Sequence, residues 1–317
     1  MLEQTGVSKP ETSNSRRFKF SVSTFRFWLP LLAAGWQDVN SRMNEMVIEA
    51  GKTERHYWAD LWRYRELFFF LSWRDLLVRY KQTVIGVLWA LIRPLLIILI
   101  GTVIFGKMGG MLSDGLPYPV LICAATLPWQ FFASALAEAS NSLITNANMI
   151  SKIYFPRIIV PASAVIVSFG DLLISLVILA GLMVWYHVPP TWRLLTLPLF
   201  TGLAFFASFG VGLWLSALNV KYRDFRYVIP FIVQFGIFVS PVFFTSSVFH
   251  AKHVGPAYLW YDLNPMVAVI DGYRWALGGT AAFDAWGLAA ALTVTALLLF
   301  SGLKYFRATE KAFADII

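Results

Sequence analysis

Cysteine is nearly absent from this 317-residue chain, and the single one, Cys123, lies in an apolar run. An internal disulfide and a thiolate metal cage are therefore excluded. Charge is scarce: 14% of residues are Asp, Glu, Lys or Arg, against about 25% in an ordinary soluble domain. No Gly-x4-Gly-Lys-Ser/Thr run occurs, so the chain has no phosphate loop of that kind with which to hydrolyse ATP. Four histidines are present, and the pair His250 and His253 has no third ligand or acidic neighbour beside it, the pattern of a solvated loop. Asp262, Asp271 and Asp284 are scattered without a paired base, which gives a catalytic carboxylate couple little support.

What fills the space is hydrophobic: 58% of residues are apolar and 16% aromatic. The stretch RYKQTVIGVLWALIRPLLIILIGTVIF, 79–105, sets the plan, with a basic doorstep followed by an apolar run from Val84 to Phe105. About 20 such residues cross a hydrocarbon core about 30 Å thick. Five more runs follow, Tyr118–Ala137, Ile158–Tyr186, Leu194–Leu218, Tyr227–Phe249 and Trp286–Phe306. The pattern predicts an all-α polytopic membrane protein with six transmembrane helices.

The net charge of +8 is no nucleic-acid signal, because of where it sits. Segments 139–157, 219–226 and 304–317 carry Lys152, Arg157, Lys221, Arg223, Arg226, Lys304, Arg307 and Lys311. The opposite loops carry Lys107, Arg193, Lys252 and Arg274. Basic residues stay on the cytoplasmic side, so both termini are expected there, with 307–317 as a cytoplasmic tail. Residues 1–53 read as a cytoplasmic extension. Ser15-Arg16-Arg17-Phe18 begins like a twin-arginine leader, but Pro30 interrupts the apolar run after it, so no cleaved signal is expected.

From 54 to 80, Trp58, Trp62, Trp73 and Tyr80 recur at helical spacings among Arg74, Arg79 and other basic residues, with Lys81 beyond. This basic, aromatic, amphipathic helix suits the headgroup layer, the alternative being a helix packed on protein. Between the fifth and sixth runs lies an outer segment, 250–285. Asn264-Pro265 opens a helix there and Gly278-Gly279 closes it; Met266–Leu277 is too short to span and predicts a re-entrant or interfacial helix. Ser240-Pro241 predicts a kink in the fifth span.

Three features carry candidate chemistry. Arg93, about two turns into the first span, either snorkels to the interface or meets an anionic phosphate. The inner loop 140–157 is polar and ends in Tyr154-Phe155-Pro156; with Asn146, Asn148, Lys152 and Arg157 it offers hydrogen bonds and aromatic anchors for a cytoplasmic partner. Aromatics inside spans, Phe131, Phe132, Phe235, Phe238 and Phe244 among them, pack in a core or line a pore where sugar rings stack. Most of the tryptophans, Trp89 included, sit near span ends as interface anchors. Glu138 and Asp171 are the few titratable groups within spans, too few for ion-coupled transport.

YKQTVIGVLWALIRPL (80–95), LPWQFF (127–132), ASNSLITNANMISKIYFPRIIVPAS (139–163), LNVKYRDFRYVIP (218–230), SPVFF (240–244) and LNPM…IDGYRWAL (263–277) together closely resemble the permease subunit of ABC-2 polysaccharide exporters, the Wzm, KpsM and TagG type. The resemblance covers roughly 54–306, with the membrane domain at 84–306. It implies a homodimer of six-span subunits around a channel, in the bacterial inner membrane, paired with two copies of a separate ATPase that holds ATP and Mg. The substrate implied is a lipid-linked polysaccharide such as O antigen, capsule or teichoic acid. No cofactor is implied on this chain. The resemblance makes 140–157 the coupling loop toward the ATPase, 55–80 the interface helix and 256–279 the re-entrant helices. It makes the first and fifth spans channel walls, which favours Trp89, Arg93, Phe235, Phe238 and Phe244 as lining. The extension of about 50 residues is longer than the usual family start. An ABC-2 exporter of a small amphiphile and a membrane enzyme acting on lipid-linked sugars are the alternative readings.

Overall fold

In a computed structural model the described residues are 57–81, 88–108, 115–247, 261–279 and 284–313, without the side chains of Trp89, Ala90 and Lys107. All belong to one unit, Arg55–Ile317. Among the described residues there is no strand. The helices are α1 (Tyr57–Arg63), α2 (Arg65–Lys81), α3 (Leu88–Gly101, continued by a π-helical turn Thr102–Met108), α4 (Tyr118–Thr145), α5 (Ala147–Ile150), α6 (Ile159–Trp185), α7 (Leu197–Lys221), α8 (Phe225–Val239), α9 (Pro265–Ala276) and α10 (Ala285–Thr309). Short 3-10 turns precede α7 at Trp192–Thr196 and follow α10 at Glu310–Ala312.

Four helices, α4, α6, α7 and α10, are long and apolar enough to cross a membrane. At 1.5 Å per residue each is about 37–42 Å long, more than the hydrocarbon core requires. α3 and α8, which stand where the first and fifth spans are expected, are shorter apolar helices. α4 is the central element, flanked by α6 and α7, with α10 behind α7. Val120 to Ala125 of α4 are wholly enclosed, which suits an all-round apolar helix. α7 and α10 approach at Gly210 and Gly302: a Cβ on Gly302 would stand 2.5 Å from the Gly210 carbonyl oxygen. Small residues at such a crossing let two backbones meet and gain dispersion contacts.

The polar end of α4 differs from expectation. The second span is expected to stop near Ala137, yet the helix continues to Thr145. Its Ser, Asn and Thr side chains turn back onto the helix, Ser140 to the Leu136 carbonyl at 2.6 Å, Asn141 to Ala137 at 2.9 Å and Thr145 to Asn141 at 3.1 Å. Such back-bonding satisfies the hydroxyls and amides without ending the helix.

The fifth run also differs. Ser240-Pro241 terminates α8 instead of kinking it, with Ser240 extended at φ −95°, ψ 152° as a residue before proline prefers. The carbonyls freed beyond the stop find side-chain donors. Val242 and Phe244 accept from Arg274 at 3.3 and 3.0 Å, and Phe243 accepts from the Tyr118 hydroxyl at 2.8 Å. Arg274, counted among the cations of the outer loops, is a buried structural residue of α9, 5% exposed.

α9 itself begins and ends as expected: the Asn264 side chain accepts from Met266 N at 3.0 Å, and Gly278 takes φ +94° past the end. It packs among α4, α7 and α10 with Val269, Ile270 and Tyr273 fully enclosed. Asp284, one of the scattered carboxylates of the sequence, caps α10 by accepting from Trp286 N at 3.0 Å. Asp271 pairs with Arg274 at 3.6 Å.

Candidate functional site

The turn between α4 and α6 is held from three sides and leaves a short tip uncovered. Ile150, Phe155 and Ile158 are buried with Leu71 of α2, Leu213 of α7 and Phe306 of α10. Enclosing Phe155 removes its large apolar surface from water and anchors the turn. Asn148, Ser151, Lys152, Ile153 and Tyr154 stay exposed, with Tyr154 at 46% and Ile153 at 58%. The tip thus offers one cation, one aromatic and one β-branched apolar side chain on a rigid base.

The residues expected to meet a partner divide into two groups. Asn148, Lys152 and Tyr154 are exposed, while Asn146, Phe155 and Arg157 face inward. Asn146 accepts from Arg74 Nη2 at 3.0 Å through its Oδ1 and donates to the Ser142 carbonyl at 2.9 Å. Arg157 donates through its guanidinium to the Glu310 carbonyl. Ile153 is the exposed tip residue that sequence reasoning missed; its signal is a β-branched side chain between Lys152 and Tyr154, ahead of Pro156.

α2 fastens to the bundle by its basic side chains. Arg79 Nη1 lies 2.5 Å from Asp171 of α6, and Nη2 lies 2.5 Å from Glu138 of α4. Tyr80 donates its hydroxyl to Asp171 as well. Arg74 pairs with Asp75 at 2.7 Å besides holding Asn146. A cleft of about 310 Å³ opens between α2, α4 and α6, lined by Arg74, Arg79, Glu138 and Asn146. Glu138 and Asp171 are thus the partners of the basic residues that precede the first span. At about 1.5 Å per residue, Asp171 stands roughly 18 Å along α6 from Ile159, within an apolar helix where a carboxylate without a partner is costly.

The outer faces of α1 and α2 are aromatic. Trp58, Trp62, Phe69, Phe70 and Trp73 are all more than half exposed, with Phe69 and Trp73 stacked at 6.4 Å and Arg65 over the Trp62 ring at 5.6 Å. Lys81 is exposed at the end of α2. The opposite face is buried through Tyr57 and Leu71.

α3 and α8 each leave one apolar face uncovered. On α8, Tyr227, Phe231, Phe235 and Phe238 are at least half exposed, and Phe231 and Phe235 lie 4.3 Å apart. On α3, Leu95, Leu99 and Ile100 are exposed, and so is Arg93. The π-helical turn that continues α3 meets the segment after α8 where Phe105 stacks on Phe243 at 5.0 Å. Trp129 holds α8 to α4 by filling the space that a Cβ on Gly236 would take. Of the other aromatics expected on a pore, Phe131 is buried edge-on against Phe169, while Phe132 and Phe244 are half-buried. The Trp89 side chain and His250 and His253 lie outside the described residues.

Residues 66–277 match the ABC-2 type transporter family, and the chain belongs to it. It is similar to an O-antigen export system permease protein, RfbA, of Myxococcus xanthus, 25% identical over 259 residues, covering 81% of this chain and 98% of the relative. Two permeases of the same name from Klebsiella pneumoniae are 29% and 28% identical over 239 residues, each covering 73% of this chain and 90% of the relative. The chain is accordingly a multi-pass membrane subunit of a transporter and not an enzyme.

Proposed function

We propose that this chain is the membrane half of an ATP-driven exporter that moves a lipid-linked polysaccharide, of the O-antigen class, across the bacterial inner membrane. The observation that carries the reading is the match to O-antigen export permeases over nearly their whole length, together with this chain's membership of the ABC-2 type transporter family. In this reading the subunit has six spans, α3, α4, α6, α7, α8 and α10, with both termini cytoplasmic. The excess of Lys and Arg in the 139–157, 219–226 and 304–317 segments supports that orientation. α1 and α2 lie in the headgroup layer, where their exposed tryptophans and arginines suit the polar–apolar boundary.

The power source is a separate ATPase holding ATP and Mg, two copies per homodimer of this chain. It docks on the exposed tip, Asn148, Lys152, Ile153 and Tyr154, while Asn146, Phe155 and Arg157 set the tip's position. Nucleotide acts through the partner, whose two states press differently on the tip and so bias the packing of α4 and α6. The uncovered faces of α3 and α8, with Arg93, Phe235 and Phe238, form the wall met by the partner subunit and the sugar chain. Aromatic faces are suited to stacking on the apolar faces of sugar rings. Phe131, enclosed within the subunit, supports that wall from behind.

Removing the chain from its bacterium tests the reading. The expected result is loss of the surface glycan with its lipid-linked form accumulating on the cytoplasmic side, restored by the wild-type chain. A surface glycan unchanged in amount and length would contradict it.

A further inference from the structure

α6 begins without a side-chain cap from its own segment. Pro156 has no amide hydrogen, and Arg157, one residue ahead of the N-cap Ile158, offers its amide in the turn that leads into the helix. Its acceptor comes from the far end of the chain. Glu310 Oε1, in the turn after α10, accepts from Arg157 N at 2.7 Å. The exchange is reciprocal, because the Arg157 guanidinium donates to the Glu310 backbone carbonyl. Glu310 Oε2 also accepts from the Tyr57 hydroxyl at 3.1 Å, at the start of α1.

The carboxylate is half-buried, flanked by aromatic side chains. Arg307 lies over the Tyr57 ring at 4.4 Å, and Phe313 is buried edge-on against Phe306 at 5.3 Å. Phe306 and Phe313 share their apolar cluster with Phe155 and Ile158. The C-terminal turn therefore touches the start of α1, the end of α10 and the base of the tip at one point. A negative group at a helix N-terminus is also favoured by the helix dipole.

We infer that Glu310 is a positioning residue for the ATPase-docking tip: it holds the Arg157 amide in the turn that leads into α6 and makes the tip, α6 and α1 move as one piece. The inference rests on the reading of residues 148–154 as the ATPase contact. With this bond in place, a force on Lys152 or Tyr154 is passed to α6 and α1. Without it, the tip swings on Pro156 and the force is lost.

The test uses the full chain co-expressed with its ATPase and purified into lipid nanodiscs, with export followed in cells. E310Q keeps one acceptor oxygen, for Arg157 N–H, and turns its amide nitrogen toward Tyr57, whose hydroxyl then accepts instead of donating. E310D keeps the charge but falls one methylene short. The expected result is that E310Q stays within about twofold of wild type in export. E310D retains the bound ATPase and hydrolyses ATP, yet loses export roughly tenfold, and its Arg157 amide exchanges hydrogen roughly tenfold faster, the size of one charge-assisted hydrogen bond. E310D with wild-type export and unchanged exchange at Arg157 overturns the inference, as does E310Q falling as far as E310D. A wild-type chain that carries no ATPase contradicts the docking reading itself, whatever the Glu310 variants do.

Discussion

Arg79 stands 2.5 Å from Asp171 on one side and 2.5 Å from Glu138 on the other, so a single guanidinium joins α2 to α6 and α4. The three side chains are partly open, at 27%, 27% and 50% exposure, which lowers what the pairing is worth. The geometry still matters, because Asp171 lies well along an apolar helix with Tyr80 as its second partner. R79A is expected to destabilise the subunit by about 1–2 kcal/mol, read as a lower thermal unfolding midpoint in detergent. D171A costs a similar amount, and R79A/D171A costs clearly less than the two added together. Strict additivity in that cycle contradicts the bridge.

The backbones of α7 and α10 come together at Gly210 and Gly302 with no room for a Cβ. G302L forces the helices apart and is expected to cost about 1–3 kcal/mol or abolish folding, whereas T293L, at an exposed position on α10, is tolerated. Folded yield on size-exclusion chromatography separates the two.

Arg274 supplies the carbonyls of Val242 and Phe244 beyond the end of α8. R274M is close in length but has no donor, leaving two carbonyls unpaired at about 1–3 kcal/mol each. The expected outcome is a lower unfolding midpoint and faster proteolysis within 240–247. An R274M chain as stable and as protease-resistant as wild type excludes this role.

The tip and its base are expected to respond differently. Y154A removes an exposed side chain and leaves thermal stability unchanged, but weakens ATPase binding by at least about 2 kcal/mol, roughly thirtyfold. F155A empties a buried position and lowers stability by about 3–5 kcal/mol. Thermal unfolding and ATPase affinity, measured on both variants, distinguish a contact residue from a supporting one.

Much of this was legible in the chain itself, and the exceptions have physical reasons. The positions of the four long apolar helices α4, α6, α7 and α10 followed from apolar run length, and the start and end of α9 followed from Asn264-Pro265 and Gly278-Gly279, because capping is local chemistry. The extension of α4 to Thr145 was hidden by Ser and Asn residues that usually mark loops. Their back-bonding to the preceding turn is visible only once the helix exists. The stop at Ser240 was readable as a proline effect, but whether the chain kinks or ends depends on Arg274 and Tyr118, distant in sequence. The inward turn of Asn146, Phe155 and Arg157 was likewise unreadable: residue types suited to a partner surface are equally suited to Arg74, an apolar cluster and Glu310. Pairing of Arg79 with Glu138 and Asp171 spans 59 and 92 residues, and no spacing rule encodes it.

The most direct measurement is purification of the chain from its own bacterium's membranes in mild detergent, followed by identification and quantification of bound proteins. A phosphate-loop ATPase at one copy per chain, retained by E310Q and lost from a chain carrying K152A and Y154A together, is the predicted result. Recovery of the chain without any such ATPase, across several detergents and in nanodiscs, would contradict the proposed exporter.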